Sequence, residues 1–157
     1  AGLIGSHVVE ELLKENAGEI IIYDNFVRGR MENLSIALQD SRVSIFEAGG
    51  DILQTDVLSE AIKRVDGVFH LAALWLLQCH EFPRTAFDVN VRGVFLGTRE
   101  AGRRMVARGQ GHIINVASLA GITPVPGLAV YCASKHAVRG LTLAAAMELL
   151  ANTYLKK

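Results

Sequence analysis

The chain carries a tyrosine and a lysine at a spacing that could support proton transfer. Lys135 follows Tyr131 by four residues, and on a helix this spacing turns the phenol and the ammonium toward the same side. A tyrosine titrates near ~10 in water, so it exchanges protons poorly at neutral pH unless a fixed positive charge stabilises its phenolate. Lys135 could supply that charge. The pair alone is weak evidence, because the same spacing is common in ordinary helices.

Two polar residues upstream could complete such a site. Ser118 follows the uncharged run of residues 113–117, and Asn90 lies on the buried stripe of a predicted helix. A buried amide must find hydrogen-bond partners. Holding a water molecule for a proton relay would meet that need, and so would a purely structural bond from the helix to a strand.

These residues and the segments around them resemble the short-chain dehydrogenase/reductase family. The resemblance rests on four residues in the right order and spacing, which are Asn90, Ser118, Tyr131 and Lys135. Residues 115–121 and 131–137 match the segments that surround them in that family. Residues 1–90 are similar to the extended branch, which contains nucleotide-sugar epimerases and dehydratases. The remainder is similar to the short, single-domain branch, so we expect a chimera joined near residues 89–95.

The resemblance implies a role for each of the four side chains. Tyr131 would move the proton, while Lys135 would lower the pKa of the tyrosine and bond the nicotinamide ribose. Ser118 would bond the substrate oxygen, and Asn90 would hold the relay water. The implied reaction is hydride exchange between an alcohol carbon and nicotinamide, with the cofactor supplying the redox chemistry.

The start of the sequence resembles the end of a dinucleotide phosphate loop. Gly2, Leu3, Ile4 and Gly5 are followed by a helical pattern of apolar residues. In such loops glycine lets the backbone approach the pyrophosphate, and the helix N-terminus attracts its negative charge. Two glycines alone would leave an ordinary glycine turn as an equally good interpretation.

An acidic residue follows the first predicted strand. Residues 20–23 form a continuous apolar run typical of a buried parallel strand, and Asp24 stands at its carboxyl end. A carboxylate there can bond the adenosine ribose and would repel a 2′-phosphate, so it favours NAD over NADP. Arg28 and Arg30 weaken this exclusion a little. The alternative is that Asp24 is only a turn or helix-cap residue.

The resemblance extends the cofactor site to other segments that follow predicted strands. The residues it adds are Asn25, Asp51, Ile52, Leu71, Ala72 and Ala73. Asp51 and Ile52 would flank the adenine, and the small Ala72 and Ala73 would let the cofactor pass close to the backbone. His70 has no partner at a fixed spacing, so we interpret it as a packed histidine.

Strand and helix patterns alternate along the chain, which is typical of an α/β fold with a doubly wound parallel sheet, or Rossmann-like fold. Strands are expected at residues 20–23, 43–46, 68–71 and 112–117, with helices at 31–38, 55–65 and 84–108 and from 128 onward. Gly67 should close the second of these helices. Trp75 lies in an apolar segment that would be core or a lid over the site. Residues 109–134 carry no charge apart from His112, so they should be buried.

The family pattern has a strand before the segment that corresponds to Gly2 and further strands after the last helix. We therefore expect a sheet without its central first strand and its C-terminal strands, which leaves a gap in the hydrogen-bond ladder. The predicted organisation is a single, incomplete dinucleotide-binding domain of residues 1–157.

Composition limits the classes of partner. Half of the 157 residues are hydrophobic, enough for a sizeable core, and sixteen basic residues balance sixteen acidic ones. This balance gives no electrostatic reason to expect nucleic acid. Cys79 and Cys132 lack the spacing of a disulfide framework or a metal site, and no apolar stretch is long enough for a bilayer. We therefore expect no metal, no membrane and a reducing, cytoplasmic location.

The last predicted helix has no continuous polar face. Between Lys135 and Leu150 its only charges are Arg139 and Glu148, which lie on opposite sides. One side can pack on the sheet, and the other would expose an apolar patch of the kind found at interfaces. We expect this helix and the one at residues 85–108 to pair across a twofold axis into a homodimer or homotetramer, as the resemblance implies.

Three functions are compatible with the sequence. The first is an NAD-dependent oxidoreductase that acts on a small alcohol or ketone. The second, suggested by residues 1–90, is a nucleotide-sugar epimerase or dehydratase. The third is a catalytically silent fragment that binds dinucleotide or only assembles.

Overall fold

Short parallel strands alternate with helices in the computed structural model, which describes residues 1–154, with side chains described through residue 151. The strands are β1 (Ile20–Ile22), β2 (Val43–Ile45), β3 (Gly67–His70) and β4 (His112–Asn115). The α-helices are α1 (Leu3–Lys14), α2 (Thr55–Ala61), α3 (Leu76–Glu81), α4 (Pro83–Phe87), α5 (Val94–Arg108) and α6 (Ala129–Tyr154). The expected α/β class with parallel strands is confirmed.

The strands form two separate parallel pairs. β1 pairs with β2 in the register Ile20 to Val43, and β3 pairs with β4 in the register Gly67 to His112. No backbone ladder joins the two pairs among the described residues, so the expected gap in the hydrogen bonds is present. In each parallel pair the carboxyl ends of the strands lie at the same edge.

Each pair of strands is associated with its own apolar cluster. The first cluster combines α1, β1, β2 and the segment between them, and consists of Val9, Ile20, Ile22, Leu34, Ala37 and Val43. The second lies between α2 and α5, and consists of Leu58, Ile62, Leu96, Ala101 and Met105. Tyr23 packs against the second cluster from the end of β1, and its hydroxyl donates to the carbonyl of Asp51 at 2.8 Å. This side chain therefore connects the two parts of the core.

The prediction of one continuous helix at residues 31–38 is wrong. The structure has two short 3₁₀ helices there, Met31–Leu34 and Ala37–Gln39. The carbonyl of Glu32 accepts both the backbone N–H of Ser35 at 3.3 Å and the Ser35 hydroxyl at 2.9 Å. Such local serine bonds compete with the α-helical ladder, which explains the tighter turns.

Other boundaries also differ from the prediction. The helix expected to reach residue 65 ends at Ala61, and Gly67 does not close it but begins β3. The helix predicted at residues 84–108 is interrupted by a π-helical segment, Asp88–Gly93, between α4 and α5. Single-turn π segments place one extra residue in a helical turn and are frequent at functional sites.

The expectation that residues 109–134 are buried is wrong for much of the segment. Leu119 is 75% exposed and Ile122 is 66% exposed. On the second strand pair Phe69 and Ile114 are also exposed, because no described helix covers that face. The absence of charge permits burial, but only packing partners bring it about. No helix among the described residues has the length and apolar character needed to cross a bilayer.

Candidate functional site

Tyr131 and Lys135 lie on the same side of α6, as their spacing predicts. The Lys135 ammonium is 5.8 Å from the centroid of the Tyr131 ring and donates to the carbonyl of Val116 at 3.0 Å. Lys135 is only 4% exposed. Burial lowers the pKa of Lys135 below its ordinary value, while the nearby thiol of Cys79 acts in the opposite direction. The Lys135 amine is therefore held near the Tyr131 ring in a buried environment.

Ser118 is brought to α6 by the turn that follows β4. Its hydroxyl oxygen accepts the backbone N–H of Ala120 at 3.2 Å and so caps the 3₁₀ helix Leu119–Gly121. Gly121 lies directly against Lys135, since a Cβ on Gly121 would stand 2.7 Å from the Lys135 carbonyl oxygen. No hydrogen bond joins the Ser118 and Tyr131 hydroxyls among the described residues, although their elements are in contact.

Asn90 is fully buried in the π-helical segment and its amide joins three elements. Its Oδ1 accepts the backbone N–H of Leu74 at 2.6 Å, and its Nδ2 donates to the Leu74 carbonyl at 3.1 Å and to the Ser134 hydroxyl at 3.3 Å. Ser134 in turn donates to the carbonyl of Tyr131 at 2.8 Å. The sequence left open a structural bond from the helix to a strand; the observed bonds are structural but form a clamp to the loop after β3 and to α6 instead. A relay water held by Asn90 stays a prediction.

Ser134 and Cys79 are members of this cluster that sequence reasoning missed. Cys79 is fully buried, and its sulfur lies 3.5 Å from Asn90 Nδ2 and 3.5 Å from the Leu74 carbonyl oxygen. Burial raises the pKa of the Cys79 thiol, while the hydrogen bond from Asn90 opposes that shift. Ser134 lies inside the segment that resembles the family, but the sequence assigned it no role. Nothing in the sequence around Cys79 marked it as part of a site.

The N-terminus of α1 has the form expected of an anion-binding turn. Gly2 is its N-cap and no side chain caps the first turn, while Leu3 and Ile4 are exposed. The first amides of a helix have no intrahelical acceptor, so they remain free to bind a ligand. Gly5 approaches the loop after β3, because a Cβ on Gly5 would lie 3.6 Å from Leu71 Cδ1.

Asp24 is held beside the start of α1. Its Oδ1 accepts the backbone N–H of Phe26 at 2.8 Å, and its Oδ2 pairs with the Ala1 ammonium at 2.8 Å. Gly50 packs against the Asp24 backbone, which brings the loop after β2 to the same place. A carboxylate oxygen accepts more than one hydrogen bond, so Asp24 could still receive a ribose hydroxyl. Asn25 is exposed, and its Oδ1 accepts the N–H of Val27 at 3.2 Å.

The other predicted cofactor residues occupy neighbouring loops. The Oδ1 atom of Asp51 accepts the N–H of Leu53 at 2.9 Å, and the Ile52 side chain packs against Gly93 of the π-helical segment. Leu71 and Ala73 are partly buried, and Ala72 is exposed.

These residues fit a dinucleotide. The uncapped turn of α1, the Asp24 carboxylate and the small side chain of Ala72 supply an anion site, a ribose acceptor and room for close approach. Among the residues that the structure describes, no three histidine, cysteine or acidic side chains form a cluster that could hold a metal ion.

His70 is a packed residue at the end of β3, as expected. It is 7% exposed, and its ring lies so near Gly97 of α5 that a Cβ on Gly97 would stand 3.1 Å from His70 Cδ2. Burial lowers the pKa of His70, and the nearby backbone of Gly93 opposes that shift. Neither ring nitrogen meets a described partner in hydrogen-bond geometry.

Trp75 is not a core residue. It is 44% exposed and stands immediately before α3 as its N-cap residue. The guanidinium carbon of Arg28 lies over its ring, 5.3 Å from the centroid. The stack joins the loop after β1 to the loop after β3.

Comparison with known proteins identifies the family. A family model described as "short chain dehydrogenase" matches residues 1–153. Xanthoxin dehydrogenase from Arabidopsis thaliana is 31% identical over 161 residues, covering 93% of this chain and 56% of that protein. Cyclopentanol dehydrogenase from Comamonas testosteroni is 49% identical over 63 residues, covering 40% of this chain and 25% of that protein. The chain thus spans about half the length of the first relative and a quarter of the second.

Solved structures show the same fold over nearly the whole chain. Serine dehydrogenase from Escherichia coli superposes with a TM-score of 0.77 at 26% identity, covering 94% of this chain and 72% of that one. ElxO with NADP bound gives a TM-score of 0.78 at 24% identity, covering 95% of this chain and 64% of that one, and at this identity it shows the fold alone. With a family match over residues 1–153, the chain belongs to the short-chain dehydrogenase/reductase family.

Proposed function

We propose that this chain forms the dinucleotide-binding and proton-transfer part of an NAD-dependent oxidoreductase that acts on a small alcohol or ketone. The observation that carries the proposal is the buried Lys135 ammonium, 5.8 Å from the Tyr131 ring and 3.0 Å from the Val116 carbonyl oxygen. A cation in that position favours the phenolate, which is what a tyrosine needs to exchange protons near neutral pH.

Each site residue then has a task that the chain itself can perform. The Tyr131 hydroxyl gives a proton to the substrate oxygen or takes one from it, and Lys135 stabilises the resulting phenolate. The low dielectric around the buried Lys135 strengthens its effect on the phenol. Ser118 orients the substrate oxygen, and Asn90 fixes the position of α6 through Ser134. The bound nicotinamide cofactor supplies or accepts the hydride.

The tyrosine role is tested by replacing Tyr131 with phenylalanine. General acid/base catalysis contributes about 10²- to 10⁴-fold, so kcat for alcohol oxidation should fall by that factor, while the Kd for NAD should change little. The alcohol assay and a calorimetric titration of NAD measure the two quantities. Unchanged kcat would remove Tyr131 from the reaction. A chain that binds NAD but neither oxidises an alcohol nor reduces a ketone would be the catalytically silent fragment instead.

The preference for NAD rests on Asp24 beside the start of α1. Its carboxylate would repel the 2′-phosphate of NADP, so NAD should bind at least about tenfold tighter, or ~1.4 kcal/mol. Calorimetric titration of both dinucleotides measures this ratio, and Asp24→Asn should reduce it by removing the charge. Equal affinities, or tighter binding of NADP, would contradict the proposed preference.

Self-association through α5 and α6 is proposed from their apolar surface. A groove of about 430 Å³ runs between the two helices, with Phe95, Gly102, Leu141 and Ala145 among its lining residues. The apolar side chains Leu143, Met147 and Leu150 are also exposed, on the side of α6 that faces away from the groove. Surfaces of this kind mark interfaces, and a homodimer or homotetramer would cover them.

A charge in the groove tests this assembly. Ala145→Glu should dissociate the oligomer, whereas Ser41→Glu, in the exposed turn before β2 and outside both helices, should leave it intact. Light scattering at micromolar concentration measures the mass of each variant. An unmodified chain that is monomeric under these conditions would refute the proposal.

The relatives named above are dehydrogenases, and no contact in the structure favours a nucleotide-sugar substrate. The epimerase interpretation is therefore not carried forward as a second candidate.

A further inference from the structure

The stack of Arg28 on Trp75 connects two loops that border the proposed dinucleotide site. Arg28 lies in the loop after β1, and Trp75 lies between β3 and α3. The guanidinium carbon is 5.3 Å from the indole centroid, and both residues are exposed. Neither residue has a role in the proton-transfer site described above.

Both ends of the stack are anchored to residues of that site. Gly29, which follows Arg28, is pressed against the start of the chain, since a Cβ there would lie 2.6 Å from Ala1 Cβ and 2.8 Å from Asp24 Oδ1. On the other side, Leu74 precedes Trp75 and is held by the Asn90 amide through its N–H and its carbonyl. The stack is therefore fixed between the Asp24 end and the loop that follows β3.

A phosphate would bind the Arg28 guanidinium more strongly than the indole ring of Trp75 does. An exposed cation–π contact changes an equilibrium by only about two- to fivefold. A phosphate offers charge-assisted hydrogen bonds to a guanidinium, and these are among the strongest in proteins. We propose that Arg28 binds the pyrophosphate of the dinucleotide, and that its competing stack on Trp75 is broken when the dinucleotide enters. This inference rests on the proposed function.

The pyrophosphate is favoured over the 2′-phosphate by the position of the Arg28 guanidinium. Asp24 would bond the adenosine ribose and repel a phosphate beside it. The Arg28 guanidinium lies over Trp75, in the loop that continues from Ala72 and Ala73. The cation thus lies between the adenosine side and the nicotinamide side of the site, where the two phosphates of a dinucleotide are.

The fluorescence of Trp75 reports directly when Arg28 moves from the indole ring to the pyrophosphate, because Trp75 is the only tryptophan in the chain. Addition of NAD or ADP-ribose, which both carry the pyrophosphate, should change the tryptophan fluorescence and saturate with the affinity found by calorimetry. Adenosine, which has no phosphate, should leave the fluorescence unchanged. NAD binding by calorimetry without any change in fluorescence would overturn the inference while leaving the proposed function intact.

Matched substitutions measure the contribution of the cation. Arg28→Met should weaken NAD binding about tenfold or more, because a hydrogen bond to a charged group is lost. Arg64→Met removes the same charge in the exposed turn before β3, at the opposite edge of the strands, and should have no effect. Trp75→Leu should strengthen NAD binding about two- to fivefold, since it removes the competing stack.

The outcomes separate this inference from the function on which it rests. If Arg28→Met leaves NAD affinity unchanged, or weakens only NADP, the cation does not bind the pyrophosphate. If the unmodified chain binds no NAD by calorimetry, the proposed function itself fails and this inference with it. Circular dichroism and urea unfolding of each variant establish that the affinities are measured on folded protein.

Discussion

Replacing Asn90 with alanine should destabilise the fold more than any exposed asparagine substitution. The Asn90 amide is fully buried and makes hydrogen bonds to the N–H and the carbonyl of Leu74 and to the Ser134 hydroxyl. Alanine leaves the Leu74 N–H without this partner and leaves the Leu74 carbonyl with only the weak S–H donor of Cys79. Ser134 keeps its own bond to the carbonyl of Tyr131, so its hydroxyl remains satisfied as a donor.

The cost follows from the two backbone groups. A buried donor or acceptor without a partner costs about 1–3 kcal/mol. Leu74 is partly buried and water can reach some of its surface, so the lower half of that range applies to each group. We expect a loss of about 2–4 kcal/mol in the free energy of unfolding, a large share of the typical 5–15 kcal/mol of a domain.

Urea unfolding followed by circular dichroism measures this loss. With an m-value of about 2 kcal/mol/M, the midpoint should fall by about 1–2 M. Asn33→Ala is the matched control, because Asn33 is exposed and its amide makes one hydrogen bond, to the Ala1 carbonyl at 2.9 Å. A loss for Asn90→Ala no larger than for Asn33→Ala would refute the clamp. Lost turnover with unchanged stability would favour the relay water instead.

Two further predictions concern glycine packing and a buried histidine. Gly121→Ala should lower the free energy of unfolding by about 1–3 kcal/mol, because the added methyl group would overpack against the Lys135 backbone. Gly140→Ala meets no atom within 4 Å and should raise the free energy of unfolding by about 0.5–1 kcal/mol through helix propensity. Urea unfolding measures both. Burial lowers the pKa of His70, so the unfolded state binds its proton first and the free energy of unfolding should decline as the pH falls below about 6.5. His70→Phe should flatten this decline, measured as unfolding midpoints in a pH series. His80→Phe is the control, because His80 is exposed, and should leave the decline unchanged. Identical slopes for both variants would contradict the assignment to His70.

Local spacing was sufficient to predict the core of the candidate site. The position of Lys135 relative to Tyr131 follows from the helical repeat, which any helix over these residues must obey. The apolar runs at β1 and β3 likewise predict strands, although Phe69 in β3 is exposed, and Asp24 comes two residues after the end of β1. These features depend on residues close together in the chain, so no knowledge of the packing is needed.

Burial and exact element boundaries could not be predicted in the same way. In the uncharged segment after β4, Ala120 is buried while the side chains of Leu119 and Ile122 are exposed. The helix near Ser35 is 3₁₀ because one hydroxyl binds a backbone carbonyl. In both cases the sequence pattern permits two structures. The choice between them depends on contacts that the pattern does not encode.

The sequence by itself determined the α/β class, the family, and which side chains could transfer a proton or bind a dinucleotide. Only the tertiary structure decided what those side chains contact. Asn90 bonds to Leu74 sixteen residues away, and Arg28 meets Trp75 on a loop from another strand. Such partners are set by how loops close and where elements dock, and each loop has many conformations of similar free energy until the packed core selects one.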